Sequence, residues 1–130
     1  MKHAIIFSAF IALAQGCNDE RLGPEPTVIE NPTACDIDEQ IFELHCFSCH
    51  QENGVAAPIL TLATLQDESL NSYIVPNDPA ASFLFRKVSG EDLGENEGTI
   101  MPPGEGLDEA LVETMRQWID AGAPKECESE

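Results

Sequence analysis

Basic residues are scarce in this chain: six Lys and Arg stand against 24 Asp and Glu, for a formal net charge of −18. That balance argues against nucleic acid as a partner, because no basic stripe is present to neutralise phosphates. It also disfavours docking on an anionic lipid surface. The acidity reads first as a solvated surface that keeps the chain soluble, and second as a field that steers a basic partner. Strand patterning is missing as well, since apolar and polar residues nowhere alternate over the length of a strand. No internal repeat occurs. The one low-complexity stretch, acidic EDLGENEG at 91–98, lacks a complete calcium-loop pattern and reads as a solvated loop. Long apolar runs are limited to a single segment near the N-terminus, too short to span a bilayer.

That segment, AIIFSAFIALA at 4–14, follows Lys2 and His3 and leads into LAQGC. A short positive region followed by an apolar run of this length is the pattern of an export signal. The LAQGC ending resembles the lipobox of bacterial lipoproteins, with small Gly16 before Cys17, although Gln15 stands where a small or hydroxyl residue is usual. The resemblance implies a signal peptide at 1–16, acylation of Cys17 and a lipid anchor in the inner or outer membrane, with the protein on the periplasmic side. Ordinary cleavage nearby would instead leave Cys17 a thiol. Either route exports the chain into a compartment that permits disulfides. Residues 17–34 are polar, carry Pro24, Pro26 and Pro32 and show no apolar period. They read as a flexible tether.

Five cysteines make an odd count, and an odd count needs an account. Cys17 belongs to the lipobox, and Cys46 and Cys49 to the motif CFSCH at 46–50. Cys35 and Cys127 remain, and they bracket a domain at 35–127, followed by a short tail at 128–130. A Cys35–Cys127 disulfide would use every cysteine once; the alternative is two free thiols. Closing a loop of roughly 90 residues stabilises by about 4 kcal/mol in the chain-entropy model.

The domain reads as all-α, with short helices and long loops. Asp36 is a cap candidate for a helix running toward CFSCH, with Ile37, Ile41, Leu44 and His45 on one stripe. Gly54 and Pro58 break the period after it. A short helix is expected near Leu65 to Tyr73. Pro79 suits a first helical turn before the amphipathic piece Ser82 to Val88. In the clearest element, Asp108 is the cap and Leu111, Val112, Met115, Trp118 and Ile119 share a face. Gly122 ends that helix and Pro124 blocks its continuation. A domain of this size built this way has a thin core and calls for a staple such as a disulfide, a metal or a large cofactor.

Three chemistries compete for CFSCH. Structural zinc takes further ligands, commonly a second close pair, and no such pair exists. A redox dithiol of the thioredoxin kind needs a strand leading into the motif, and none is patterned. Cys-x-x-Cys-His is also the attachment pattern of c-type haem: two intervening residues let both sulfurs reach the vinyl groups of one porphyrin, and the adjacent histidine faces the iron. A second axial ligand is often methionine. Met115 falls on the apolar face of the last helix and reads as core. Met101, in IMPPG at 100–104, is followed by two prolines that stiffen its loop and suit it to aiming a ligand. His45 is a rival, but it lies too near His50 in sequence to reach the other face of a porphyrin.

Taken together, the opening helix into CFSCH, VPNDPAASFLFRKVSG at 75–90 and MPPGEGLDEALVETMRQWIDAGAP at 101–124 resemble a small monohaem cytochrome c domain of the planctomycete and myxobacterial type. The resemblance spans about 35–127. It implies a cytochrome c-like fold around one covalent haem c, with thioethers at Cys46 and Cys49, His50 as proximal ligand and Met101 as distal ligand. It further implies that the first and last helices pack together, with Trp118 near the haem. The expected function is electron transfer to a redox partner protein, one with a basic docking surface given the acidity, and not enzymatic turnover. A peroxidase would need an open iron and a second haem, and only one CxxCH is present. The alternative is a module that binds or senses a small ligand, with a displaceable Met101.

Overall fold

The computed structural model describes residues 24–128. Among them the chain is helical and contains no strand, so the all-α expectation holds. The signal segment, the lipobox and Cys17 lie outside the described residues. No helix among the described residues is long and apolar enough to cross a membrane.

Helix α1 spans Ala34–Ile37. Its cap is Thr33 rather than Asp36: the Thr33 hydroxyl accepts from the Asp36 N–H at 3.3 Å, and the Asp36 carboxylate accepts from the Thr33 N–H at 2.8 Å. This reciprocal box satisfies two donors at once, so the helix starts upstream of the expected position with Asp36 inside its first turn. The helix then continues over Asp38–Cys46 in a wider π winding, closed by the Phe47 N–H on the Phe42 carbonyl at 2.7 Å, five residues back. That winding changes which residues share a side. Ile37, Ile41 and Phe42 are fully buried and Cys46 packs against the core, whereas Leu44 is 67% exposed and His45 is exposed. The stripe expected for Leu44 and His45 assumed a period of 3.6 residues, and the wider turn rotates both outward.

Helix α2 covers Leu62–Gln66, capped by Thr61 with Thr64 as its reciprocal partner. It begins and ends earlier than the helix expected at Leu65 to Tyr73, where turns follow instead. Helix α3 covers Phe83–Ser89. Pro79 lies outside it, in a turn closed by the Ser82 N–H on the Pro79 carbonyl at 3.0 Å. Helix α4, Glu109–Asp120, follows expectation: Asp108 accepts from the Ala110 N–H at 2.9 Å, and Leu111, Met115, Trp118 and Ile119 are buried. Gly122, at φ +95°, turns the chain out of the helix, a backbone shape that glycine adopts without steric cost.

Helices α1 and α4 touch, α3 lies on α4, and α2 lies on α1. Phe42, Phe85, Met115 and Trp118 are the large side chains at the centre, all at most 1% exposed. Trp118 donates to the Pro124 carbonyl at 2.9 Å and so pins the C-terminal tail to α4. It does not border the cavity described below. The Cys35–Cys127 disulfide joins that tail to α1, and the Ala34 N–H donates to the Glu126 carbonyl at 3.1 Å beside it.

Part of the stretch expected as a tether, from Ile29 onward, lies against the domain. The Ile29 N–H donates to the buried Thr114 hydroxyl at 3.0 Å, and Pro32 is buried. A proline-rich stretch forms no regular element of its own, but its extended backbone can lie across a helix and use that helix's side chains as partners.

Candidate functional site

The CFSCH loop begins where the π winding ends. The Cys49 and His50 N–H groups both donate to the Cys46 carbonyl, at 3.1 and 3.0 Å. This single turn places residues 46, 49 and 50 at helical spacings of three and four, hence on one side. That side faces a cavity of about 460 Å³, which all three residues border. Phe42, Leu60, Phe83, Leu84, Val88 and Met115 supply apolar walls, and Met101, Pro102 and Pro103 reach the same cavity from the loop after α3. The size and lining are those of a cofactor or ligand site, a largely apolar cavity with a few polar groups converging on it.

The state of each group narrows the chemistry. Nδ1 of His50 lies 2.8 Å from the Pro58 carbonyl. A carbonyl only accepts, so Nδ1 carries the proton and Nε2 keeps its lone pair for a metal, the usual outer-shell arrangement for a ligating imidazole. Cys46 and Cys49 are free thiols. Burial pushes the Cys46 thiol up to about 11, so it stays protonated at neutral pH. A nucleophilic cysteine needs the opposite shift. Among the described residues no three His, Cys, Asp or Glu side chains gather to hold a metal ion, whereas a closed structural zinc site takes four ligands. The donor set that does converge is two free thiols, one oriented imidazole and one thioether on apolar walls. That set fits a covalently held haem, with His50 and Met101 as the residues that would hold its iron.

Met101 is held from several directions. Its N–H donates to the Lys87 carbonyl at 2.7 Å. The Lys87 ammonium donates to the Glu97 carbonyl at 2.9 Å and to the Thr99 carbonyl. The neighbouring Ile100 side chain lies against Gly90 and Gly106, where an added Cβ would come within 3.0 and 2.7 Å of its Cδ1. The acidic loop expected to be merely solvated is therefore fastened to α3. The Glu97 carboxyl is held below its usual range by the Gly94 N–H and by Arg86. Met115, read as core, is fully buried as expected and also borders the cavity. His45 borders the cavity too.

The sequence reading missed Pro58, which orients His50, and the role of Gly54. A Cβ at Gly54 would sit 2.4 Å from the Cys49 carbonyl oxygen. Both residues looked like simple period breakers, and only the path of the loop back under Cys49 gives them their tasks. Gly54→Ala is expected to push the CFSCH turn off the cavity at a cost of about 1–3 kcal/mol, the usual range for overpacking. Parallel maturation of both proteins, followed by covalent haem content per chain, checks this; equal loading and equal melting temperature would refute it. Among protein-family models, curated proteins and solved structures, none matches this chain.

Proposed function

We propose that this chain is an electron carrier: a cytochrome c-like domain holding one haem c through Cys46 and Cys49, with His50 and Met101 as axial ligands. One observation carries the reading. Two free thiols, an imidazole held through Nδ1 on the Pro58 carbonyl and a thioether in a fastened loop all border the same apolar cavity. The haem, when bound, supplies one-electron chemistry. The chain's own residues do the rest. Phe42, Leu60 and Leu84 keep water from the ring, Pro58 fixes the His50 tautomer, and the loop after α3 presents Met101. Thioether ligation and a dry surround both favour the reduced state and raise the potential.

The fastened loop favours electron transfer over the ligand-sensing alternative, which requires Met101 to leave readily. Exposed apolar residues lie along the CFSCH region, with Leu44 67%, Phe47 41% and Val55 90% exposed, and Val55 borders the cavity. Set in a chain of net charge −18, they suit brief contact with a redox protein whose docking face is basic, drawn in by charge and released easily. Export, with Cys17 as lipid anchor, places that exchange at the periplasmic face of a membrane.

The test is the visible spectrum of protein matured in cells that attach c-type haem. The wild type is expected to show sharp low-spin bands on reduction and a weak far-red sulfur-to-iron band when oxidised. Met101→Ala is expected to lose that far-red band and turn high-spin. An unchanged spectrum in Met101→Ala would remove Met101 from the ligand set.

A further inference from the structure

The cavity accounts for Met101 but not for the ion pair that stands behind its loop. Arg86, on α3, grips Glu97 at two points, Nη1 to Oε2 at 2.6 Å and Nη2 to Oε1 at 2.9 Å. The same guanidinium donates to the Asp92 carbonyl at 3.1 Å and lies 5.5 Å from the ring centre of Phe83, itself a cavity wall. Glu97 Oε2 also accepts from the Gly94 N–H at 2.8 Å. Both ends of the 91–98 loop are thus gathered onto one arginine. Lys87, the next residue, holds the stretch from Glu97 to Met101 through its ammonium and its carbonyl.

The physical setting gives that pair leverage. The loop is polar and carries Gly94 and Gly98, so little apolar burial offsets the entropy of ordering it. Helix α3 is firm, because Leu84, Phe85 and Val88 are buried. The Arg86 and Glu97 side chains are only 21% and 29% exposed, and a two-point guanidinium–carboxylate contact is the most directional of ion pairs. What the pair fixes is the chain segment that ends four residues later at Met101.

We infer that Arg86 and Glu97 form a latch, positioning residues that set how readily an outside ligand displaces the Met101 sulfur. The inference rests on the reading of Met101 as the distal ligand. A ligand that binds only the methionine-off state has an apparent affinity scaled by the population of that state. Loosening the latch raises that population, so the affinity for the outside ligand rises with it.

Imidazole titrated into the ferric haem-loaded full chain, followed at the sulfur-to-iron band, reads this directly. Arg86→Gln and Glu97→Gln are each expected to bind imidazole about three- to tenfold more tightly than wild type, the scale of a well-formed, partly shielded ion pair. The double variant should match either single variant rather than exceed it, because both remove one contact. Arg116→Gln, which breaks the exposed contact of Arg116 with Glu91 at 3.4 Å, should leave the affinity unchanged. Haem content and helical circular dichroism should also be unchanged, which a general loss of structure would not allow. A second reading needs no variant: raising salt from ~0.01 to ~1 M shortens the screening length about tenfold. That should tighten imidazole binding to wild type but not to Glu97→Gln. A wild type with a normal sulfur-to-iron band whose affinity responds to neither substitution nor salt overturns the latch and leaves the haem reading intact. A wild type without that band, or a Met101→Ala variant with wild-type imidazole affinity, overturns the ligand reading and the latch together.

Discussion

A Cys46→Ala/Cys49→Ala variant is expected to emerge from a maturation-competent cell with no covalent haem, and the wild type with one haem per chain. The expectation follows from how the two sulfurs are placed. One turn closed on the Cys46 carbonyl turns both cysteines toward the cavity. Burial keeps the Cys46 thiol neutral, with its pKa at about 11, so competing thiolate chemistry is suppressed in the folded chain. Cys46 and Cys49 are the residues that would hold the haem, through thioether bonds to its vinyl groups. Neither alanine can do this; no other described cysteine borders the cavity, and Cys35 and Cys127 are bonded to each other. The variant should also melt at a lower temperature than loaded wild type. Its apolar walls, lining about 460 Å³, lose the contacts a ring would give them. Denatured protein extracted with acid and organic solvent, then assayed as the pyridine haemochrome, separates bonded from loosely held haem. Wild-type protein without bonded haem after such maturation would sink the proposal and return Cys46 and Cys49 to metal or thiol chemistry.

The site was legible in the sequence where its parts are contiguous and hidden where chain path assembles them. CFSCH announces itself because spacing alone puts three donors on one side of a turn. Met101 could be singled out because two prolines follow it and Met115 already had a place on the α4 face. Arg86 and Lys87 gave no such signal. Their partners Asp92, Glu97 and Thr99 lie in a loop whose composition suggests solvent, and nothing local says that it folds back on α3. Gly54 and Pro58 carried the ordinary signature of a broken period, and their contacts to Cys49 and His50 depend on where the loop returns.

The fold divides along the same line. Helix α4 was readable end to end, since cap, stripe and stop are all encoded within a few residues of each other. Helix α1 was readable as a helix but not in its winding. A shift to hydrogen bonds five residues apart is decided by packing, here the joint burial of Ile41 and Phe42, and such turns recur at functional sites. It delivers Cys46 to the cavity side and leaves Leu44 and His45 exposed, with His45 also bordering the cavity. The start of α1 was misplaced because Thr33 and Asp36 cap each other reciprocally, and either residue alone looks like a cap.

Replacing Cys35 and Cys127 by serine is expected to destabilise the haem-loaded protein by about 4–5 kcal/mol, the chain-entropy value for a loop of this size. The two cysteines are 92 residues apart in sequence. The folded state should lose little beyond the bond itself, because the tail is held independently. Trp118 donates to the Pro124 carbonyl, the Ala34 N–H to the Glu126 carbonyl, and Lys125 to the Asp67 carbonyl at 2.6 Å. The loss therefore falls on the unfolded chain, which gains freedom at both ends of the domain. A domain of this kind is commonly stable by only 5–15 kcal/mol, so the change takes a large share of the total and should lower the melting temperature by roughly 15 °C or more. The haem spectrum of the folded variant should be unchanged, since neither cysteine borders the cavity. This separates the two staples. Loss of the disulfide shifts the melting curve and spares the spectrum, whereas loss of the thioethers changes both. A serine variant melting within a few degrees of wild type would show that the unfolded chain is already confined, with the covalent haem and its local loop setting the stability instead.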